Sequence, residues 1–212
     1  EKLEEYEGHI ISSDYIFNID NIPNPKEQYN GWVTDVGNYL TENEKKLIND
    51  RIDAVEKSSG WEIAVVIVPN TGGDIFEACQ TLFDKWKIGK KDKDNGILLM
   101  ASIEERKFRT HTGYGAETIF TDAVCKILQE RIIVPKFREL KYGVGIHNYV
   151  SKLSDIITSE TAQNELKNEV QKIEKKEKEA KDRKSNFQKR KDNKAFIIFF
   201  LFSFVLIALG IW

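Results

Sequence analysis

The stretch from Gly60 to Gly115 constrains the fold of this chain more than any other part of its 212 residues. Residues 63–68 form an unbroken run of mostly β-branched side chains, bounded by Gly60 and Pro69. A short apolar run between such breakers is typical of a strand that is buried on both faces. Residues 97–101 form a second run of this kind. The sequence therefore predicts two fully buried, neighbouring strands.

The segments next to these strands predict how they are connected. About 27 residues with apolar side chains at helical spacing lie between them, which is enough for a crossover helix joining parallel strands. After a polar turn at residues 104–106, Phe108, Thr110 and Thr112 alternate with more polar neighbours. This alternation predicts a third strand with one buried face and an antiparallel partner. The predicted core is a β-α-β-β unit.

The rest of the sequence divides around this core. Residues 1–21 are expected to form an extended N-terminal segment, and residues 22–157 one α/β domain. Residues 31–35 are compatible with an edge strand or an ordered loop, and a capping box at Thr41 and Glu44 is expected to begin the next helix. Thr121 or Asp122 is expected to begin a later helix that Pro135 interrupts, and a last helix is predicted over residues 142–153.

Charge is distributed unevenly along the chain. Residues 156–194 contain 12 Lys and Arg against 8 Asp and Glu, whereas the remainder contains 20 against 26. An acidic domain next to a basic segment argues against a nucleic-acid partner, because a nucleic-acid groove needs clustered cations facing the phosphates. Residues 158–194 are expected to form a charged helical linker. The linker is either a simple tether or a helix that packs on partner subunits.

The C-terminal residues, 195–212, are apolar except for Ser203 and carry no charge. As a helix they would rise about 27 Å, which is close to the thickness of the hydrocarbon core of a bilayer. They are therefore predicted to form a single transmembrane helix, Ala195–Trp212, that contacts the lipid bilayer. The alternative is an interfacial helix or a helix in a protein core.

Common catalytic motifs are missing from the sequence. The three histidines lie far apart, and there is no Cys-x-x-Cys pair, phosphate-binding glycine loop or nucleophile elbow. Cys79 and Cys125 lie on apolar helical faces and are expected to be buried free thiols. The alternative is a disulfide, which needs their Cα atoms within about 7 Å of each other. Any catalytic or metal-binding site therefore has to be built from other residues.

Aspartates next to the ends of the predicted strands are the remaining candidates for a site. These are Asp35, the pair Asp92 and Asp94, and Asp122. Carboxylates that converge with backbone carbonyls suit a hard cation such as Ca²⁺ or Mg²⁺. The alternative is that each aspartate caps a helix or a turn, which is a common role for this residue type.

Several motifs in their order along the chain resemble the TPM domain family. They are the segments 23–25, 31–40, 59–68, 82–89, 93–96, 113–115, 121–123 and 135–138. The family is named for thylakoid-lumen, photosystem-repair and acetylcholine-receptor accessory proteins. The resemblance implies a three-layer α/β/α sandwich with a small mixed sheet, divalent-cation binding, and an acid phosphatase activity in some plant members. Carried over by motif, it places the metal ligands at Asp35, Asp94 and Asp122, with Glu117 as a further candidate.

Three functions are compatible with these observations. The first is a membrane-anchored, non-catalytic accessory subunit or assembly or repair factor of a membrane protein complex. The second is a metal-dependent acid phosphatase in which Lys91, Lys93 or Arg109 would neutralise the phosphate. The third is a Ca²⁺-responsive binding module. Family habit places the domain outside the cytoplasm, in a lumen, a periplasm or an intermembrane space, whereas the basic residues at 183–194 favour the opposite side.

Overall fold

The computed structural model describes the backbone of residues 15–208 and the side chains of residues 15–194, apart from 177 and 192. Residues 1–14 of the predicted N-terminal segment lie outside this range. The side chains of the predicted transmembrane segment, 195–212, lie outside it too, although the backbone is helical as far as Ala208. Among the residues described, no helix is both long enough and apolar enough to cross a membrane.

A four-stranded mixed sheet forms the centre of the first compact unit, Glu1–Asn164. The strands are β1 (Val33–Asp35), β2 (Glu62–Val68), β3 (Gly96–Ser102) and β4 (Lys107–Thr112), and they lie side by side in that order. β1, β2 and β3 are parallel, and β4 is antiparallel to β3. The β-α-β-β core is confirmed, and residues 33–35 form an edge strand.

The helices that precede and connect the strands begin and end where the sequence provides caps. They are α1 (Pro25–Gln28), α2 (Glu42–Ser59) and α3 (Ile75–Trp86). α2 begins at the predicted capping box and ends at Gly60, which has a left-handed φ of 75°. α3 is the crossover helix between β2 and β3, and the Asp74 side chain caps it by accepting from the Phe76 amide.

The helical run that begins at Asp122 does not break at Pro135. It passes from α4 (Asp122–Leu128) through a π-helical turn over Gln129–Ile133 into α5 (Val134–Arg138), which contains Pro135. The proline ring would collide with a carbonyl of the preceding regular turn, and proline has no N–H to donate. The wider π-turn therefore accommodates the proline within the helix, which corrects the prediction of an interruption.

The last helix of the domain, α6, covers Tyr142–Thr158 and so extends beyond the predicted end at Leu153. α7 (Glu160–Ala208) follows it and continues into the second compact unit, Glu165–Trp212. The side chains described in the second unit are mostly exposed.

Helices cover both faces of the sheet. Side chains that alternate along a strand point to opposite faces, and those of β4 contact different helices. Phe108 and Thr110 contact Tyr149 of α6, whereas Arg109 and His111 contact Phe76 and Phe83 of α3. α6 and α3 therefore lie on opposite faces.

The core on the α3 face also includes residues that precede α1. Ile22 is buried there with Val66, Cys79 and Met100, and Tyr15, Phe17 and Ile19 pack against this cluster. Residues 15–21 thus follow the domain surface, with a short 3₁₀ turn at Ile19–Asn21. Cys79 and Cys125 are buried free thiols, as predicted.

Candidate functional site

Asp35 lies at the carboxyl end of β1, and its side chain is almost completely buried. Its carboxylate accepts hydrogen bonds from the amides of Tyr39 (3.0 Å) and Leu40 (2.8 Å), and Lys45 Nζ lies 3.7 Å away. Burial raises the pKa of Asp35, while the two amides and Lys45 act in the opposite direction. These contacts close the loop at residues 36–40, so Asp35 has the turn-capping role that was one of its two interpretations.

Asp94 is exposed and has a left-handed φ of 46° in the turn before β3. Its carbonyl oxygen accepts a hydrogen bond from the amide of Ala116 (3.2 Å). A Cβ atom on Gly113 would overlap that same oxygen, and one on Gly115 would overlap the carbonyl of Lys93. The loop at 113–115 therefore needs its glycines because it packs directly on the backbone next to Asp94.

Asp122 is the first residue of α4, where the Thr121 side chain accepts from the Val124 amide as the cap. The Asp122 carboxylate lies 3.0 Å from Arg109 Nη1 and its side chain is 77% exposed. The Arg109 guanidinium also stacks on Phe76, 4.4 Å from the ring centre. Arg109 is therefore already engaged by protein groups, and does not extend freely towards solvent.

The sheet separates Asp35 from Asp94. The parallel register aligns Asp35 with Ile67 and Ala101, at the carboxyl end of β3, whereas Asp94 precedes Gly96 at the amino end. The length of a seven-residue strand, at about 3.3 Å per residue, lies between these two edges. The carboxylates of Asp35 and Asp94 thus lie too far apart to share one ion.

No group of three or more His, Cys, Asp and Glu side chains that could hold a metal ion occurs in the described part of the chain. Glu117, the further candidate, is exposed in a 3₁₀ turn over Ala116–Thr118.

Burial and the nearby Arg109 lower the pKa of His111, and Asp84, Glu117 and Asp122 oppose that shift. Metal ligation by any single one of these carboxylates stays a prediction.

A second group of polar side chains, which sequence reasoning did not identify as a site, lies at the carboxyl edge. Tyr39 contacts Tyr142 edge to face, with ring centres 5.9 Å apart. Burial, together with the nearby Glu104, Tyr142 and Asp35, raises the pKa of Tyr39 to about 12. The Tyr39 hydroxyl is therefore protonated at neutral pH. This edge therefore presents the aromatic rings of Tyr39 and Tyr142. The carboxylate of Asp35 beside them already accepts hydrogen bonds from the amides of Tyr39 and Leu40.

The hairpin turn at this edge is fixed by Glu105. Its carboxylate accepts hydrogen bonds from the amide and hydroxyl of Thr71 (2.9 and 2.7 Å) and from the hydroxyl of Ser102. Burial favours a higher pKa for Glu105, but these hydrogen bonds and Lys107 outweigh it and lower the pKa to about 2. Glu105 therefore joins the turn after β3 to the loop after β2.

Comparisons with known proteins give a family and two similar structures. The family profile of the TPM domain matches residues 33–156, which covers β1 and almost all of α6. No curated protein matches the chain significantly. The N-terminal domain of a protein from P. gingivalis has 26% sequence identity and a TM-score of 0.62, over 68% of this chain and 92% of that one. The BA42 protein from Bizionia argentinensis has 21% identity and a TM-score of 0.52, over 62% of this chain and 86% of its own, which shows the fold alone.

Proposed function

Because the chain belongs to the TPM domain family, we propose that it is a membrane-anchored accessory protein that assists a membrane protein complex. The TPM domain would contact the other subunits, and residues 195–212 would hold the protein in the bilayer. The domain would lie on the extracytoplasmic side. This is the role that the family resemblance implies for a domain joined to an apolar C-terminal segment.

The observation that supports this proposal most is the continuity of α7 with the apolar C-terminal run. The helix begins at Glu160, and its backbone stays helical through the charged residues and into the apolar ones, as far as Ala208. At about 1.5 Å per residue, the charged part at 165–194 alone rises about 45 Å. A charged, solvated helix that runs into an uncharged apolar stretch is the arrangement expected of a linker and its anchor.

Carbonate extraction tests the anchor. The full chain is expected to remain in the membrane pellet, and a chain truncated after Lys191 is expected to be released. If the full chain is released as well, the anchor does not exist. Protease protection in sealed vesicles then tests the side, because an extracytoplasmic domain is degraded only from that side.

Affinity purification of the full chain, after mild cross-linking in the membrane, tests the accessory role. The expected result is recovery of integral membrane proteins in a fixed ratio to this chain. Recovery of this chain alone, from cells in which it is correctly inserted, would contradict an accessory role and leave the anchor unaffected.

The alternative function is a metal-dependent acid phosphatase, and the loop before β3 is the observation that favours it. Asp94 lies in the same exposed turn as Lys91 and Lys93, so a carboxylate and two cations are close together, as phosphoryl transfer needs. Mg²⁺ is commonly held by one or two carboxylates and several waters, so Asp94 alone is compatible with binding it. Turnover of a phosphate ester with and without Mg²⁺, compared with Asp94→Asn, tests this alternative.

A further inference from the structure

A groove of about 680 Å³ lies between the β3–β4 hairpin and the segment that joins α5 to α6. This volume falls in the range of about 300–1,000 Å³ that is typical of ligand pockets. None of the aspartates predicted to form a site lines the groove. The groove is therefore a candidate binding site separate from the predicted aspartates.

Apolar and aromatic side chains form the floor of the groove. Phe137 contacts both Phe108 and Tyr142 edge to face, with ring centres 5.9 and 5.1 Å apart, and Ile133 is buried beneath them. Edge-to-face ring pairs of this kind stabilise each other by about 0.5–1.5 kcal/mol beyond the area that they bury. Leu140 also lines the groove, and its side chain is 54% exposed. An apolar partner group could cover it.

Cations dominate the rim of the groove. Arg106, Lys107 and Arg138 line it, against the single carboxylate of Glu104. Lys107 is paired with Glu105 (3.2 Å), but neither Arg106 nor Arg138 forms an ion pair within the described part of the chain. Two arginines beside an apolar floor can bind carboxylates in pairs of parallel hydrogen bonds, which is the geometry for which arginine is suited.

Both sides of the groove are shaped by residues in unusual backbone conformations. Arg106 has a φ of 53° and Leu140 a φ of 58°, and each is held there by turn hydrogen bonds, to the carbonyls of Ile103 and Phe137. A bulky residue with positive φ is uncommon. These two turns place one of the unpaired cations and the exposed leucine on the groove.

We propose that this groove binds an acidic peptide segment carrying a large apolar side chain, supplied by the membrane protein partner. This rests on the proposed accessory function and names the chemistry of the partner. The apolar side chain packs on Phe137 and Leu140, and the flanking carboxylates pair with Arg106 and Arg138. A bare phosphate would leave the floor uncovered, and a neutral apolar peptide would leave the two arginines without partners.

The test uses the full chain in detergent and three fluorescein-labelled hexapeptides, followed by fluorescence anisotropy. EEFEFE is expected to bind, and both EEAEAE and KKFKFK are expected to bind at least about tenfold more weakly. Binding of EEFEFE should weaken as salt is raised, because exposed ion pairs are screened. Equal binding of the three peptides would overturn the proposal.

Variants then assign binding to the groove. Arg106→Asn removes the charge while keeping a residue that tolerates positive φ, and Arg138→Gln removes the second charge. Each is expected to weaken binding of EEFEFE about threefold, and the double variant about tenfold. Lys87→Asn is the matched control, since Lys87 is an exposed cation with a φ of 52° that does not line the groove. If the double variant binds like the parent, the assignment is wrong.

Three further outcomes separate this proposal from others. If dihexanoyl phosphatidylserine binds with the same dependence on the two arginines and EEFEFE does not, an anionic lipid is the ligand and the peptide proposal fails. If the double variant stays anchored and recovers the same membrane proteins as the parent, the groove assignment fails while the accessory function stands. Binding of EEFEFE by a chain that carbonate releases would leave the groove assignment standing and contradict the anchored function.

Discussion

Thr71 and Glu105 join two loops at the carboxyl edge of the sheet, because the Glu105 carboxylate accepts from both the amide and the hydroxyl of Thr71. Hydrogen bonds to a charged acceptor contribute about 1.5–3 kcal/mol each in favourable cases. Glu105→Gln is therefore expected to lower the free energy of unfolding by about 1–3 kcal/mol at pH 7. Glu130→Gln is the control, since Glu130 is exposed and its substitution should cost less than about 0.5 kcal/mol.

The effect of Glu105 should depend on pH in a defined direction. Its pKa is about 2 in the folded protein and about 4.3 when unfolded. The stabilisation is thus fully present above about pH 4.3 and is lost as the pH falls towards the folded pKa. Urea titrations of the parent and of Glu105→Gln should show a stability difference that is constant from pH 7 to 5 and shrinks below about pH 4. A difference that is the same at every pH would contradict this role.

Val66 tests the central parallel strand. It lies in the middle of β2 and is fully buried on the α3 face. Val66→Asp would leave a carboxylate without a partner in the core, which costs several kcal/mol, so the domain is expected to lose its cooperative thermal transition. Leu47→Asp is the control, because Leu47 lies on α2 with 45% of its surface exposed. A variant at Val66 that melts near the parent's temperature would refute the buried strand.

Gly115 tests the packing of the 113–115 loop on the loop before β3. Its φ of −67° suits any residue, but a Cβ atom would overlap the Lys93 carbonyl. Gly115→Ala is therefore expected to destabilise the domain by about 1–3 kcal/mol through overpacking. Gly73→Ala is the matched control, since no atom lies within 4 Å of the added Cβ. Chemical denaturation should show a loss only for Gly115→Ala, and equal stabilities would mean that the two loops separate easily.

Asp94 tests divalent-cation binding. An ion that binds only the folded domain stabilises it by about 2.7 kcal/mol at a hundredfold excess over Kd, which raises the melting temperature by several degrees. The parent is expected to show this shift with millimolar Ca²⁺ or Mg²⁺ and to lose it with a chelator. Asp94→Asn should abolish most of the shift while keeping the turn, because asparagine also tolerates positive φ.

Asp92→Asn controls for a general loss of negative charge in that loop, and should leave the shift in place. No shift in the parent would contradict cation binding at the loop before β3. If the cation still raises the melting temperature of Asp94→Asn, the ion is bound by another carboxylate.

The sequence predicted the sheet well because its strands carry strong local signals. The runs at 63–68 and 97–101 are apolar on both sides, so parallel central strands were the simplest arrangement. β1 was harder to predict because its three residues carry no periodicity of their own. The π-turn before Pro135 was missed, because nothing local separates a broken helix from a widened one.

The candidate site was harder to predict than the fold. Asp35 is the last residue of β1, at its carboxyl end, whereas Asp94 precedes the amino end of β3. Proximity to a strand end in the sequence does not say at which edge of the sheet a residue lies. That edge follows only when the direction of each strand is also taken into account. The groove beside Arg138 and Leu140 was not predicted at all, because it depends on how the segment between α5 and α6 packs against a distant hairpin.

The order of the strands also bears on how the domain folds. β3 and β4 are joined by the short turn at residues 103–106, so their pairing closes only a small loop. β1 and β2 are separated in the sequence by the whole of α2, so their pairing closes a much longer loop. Contacts between distant parts of a chain form more slowly than local ones. We therefore expect the β3–β4 hairpin to form early, and β1 to dock late onto a sheet that is already assembled.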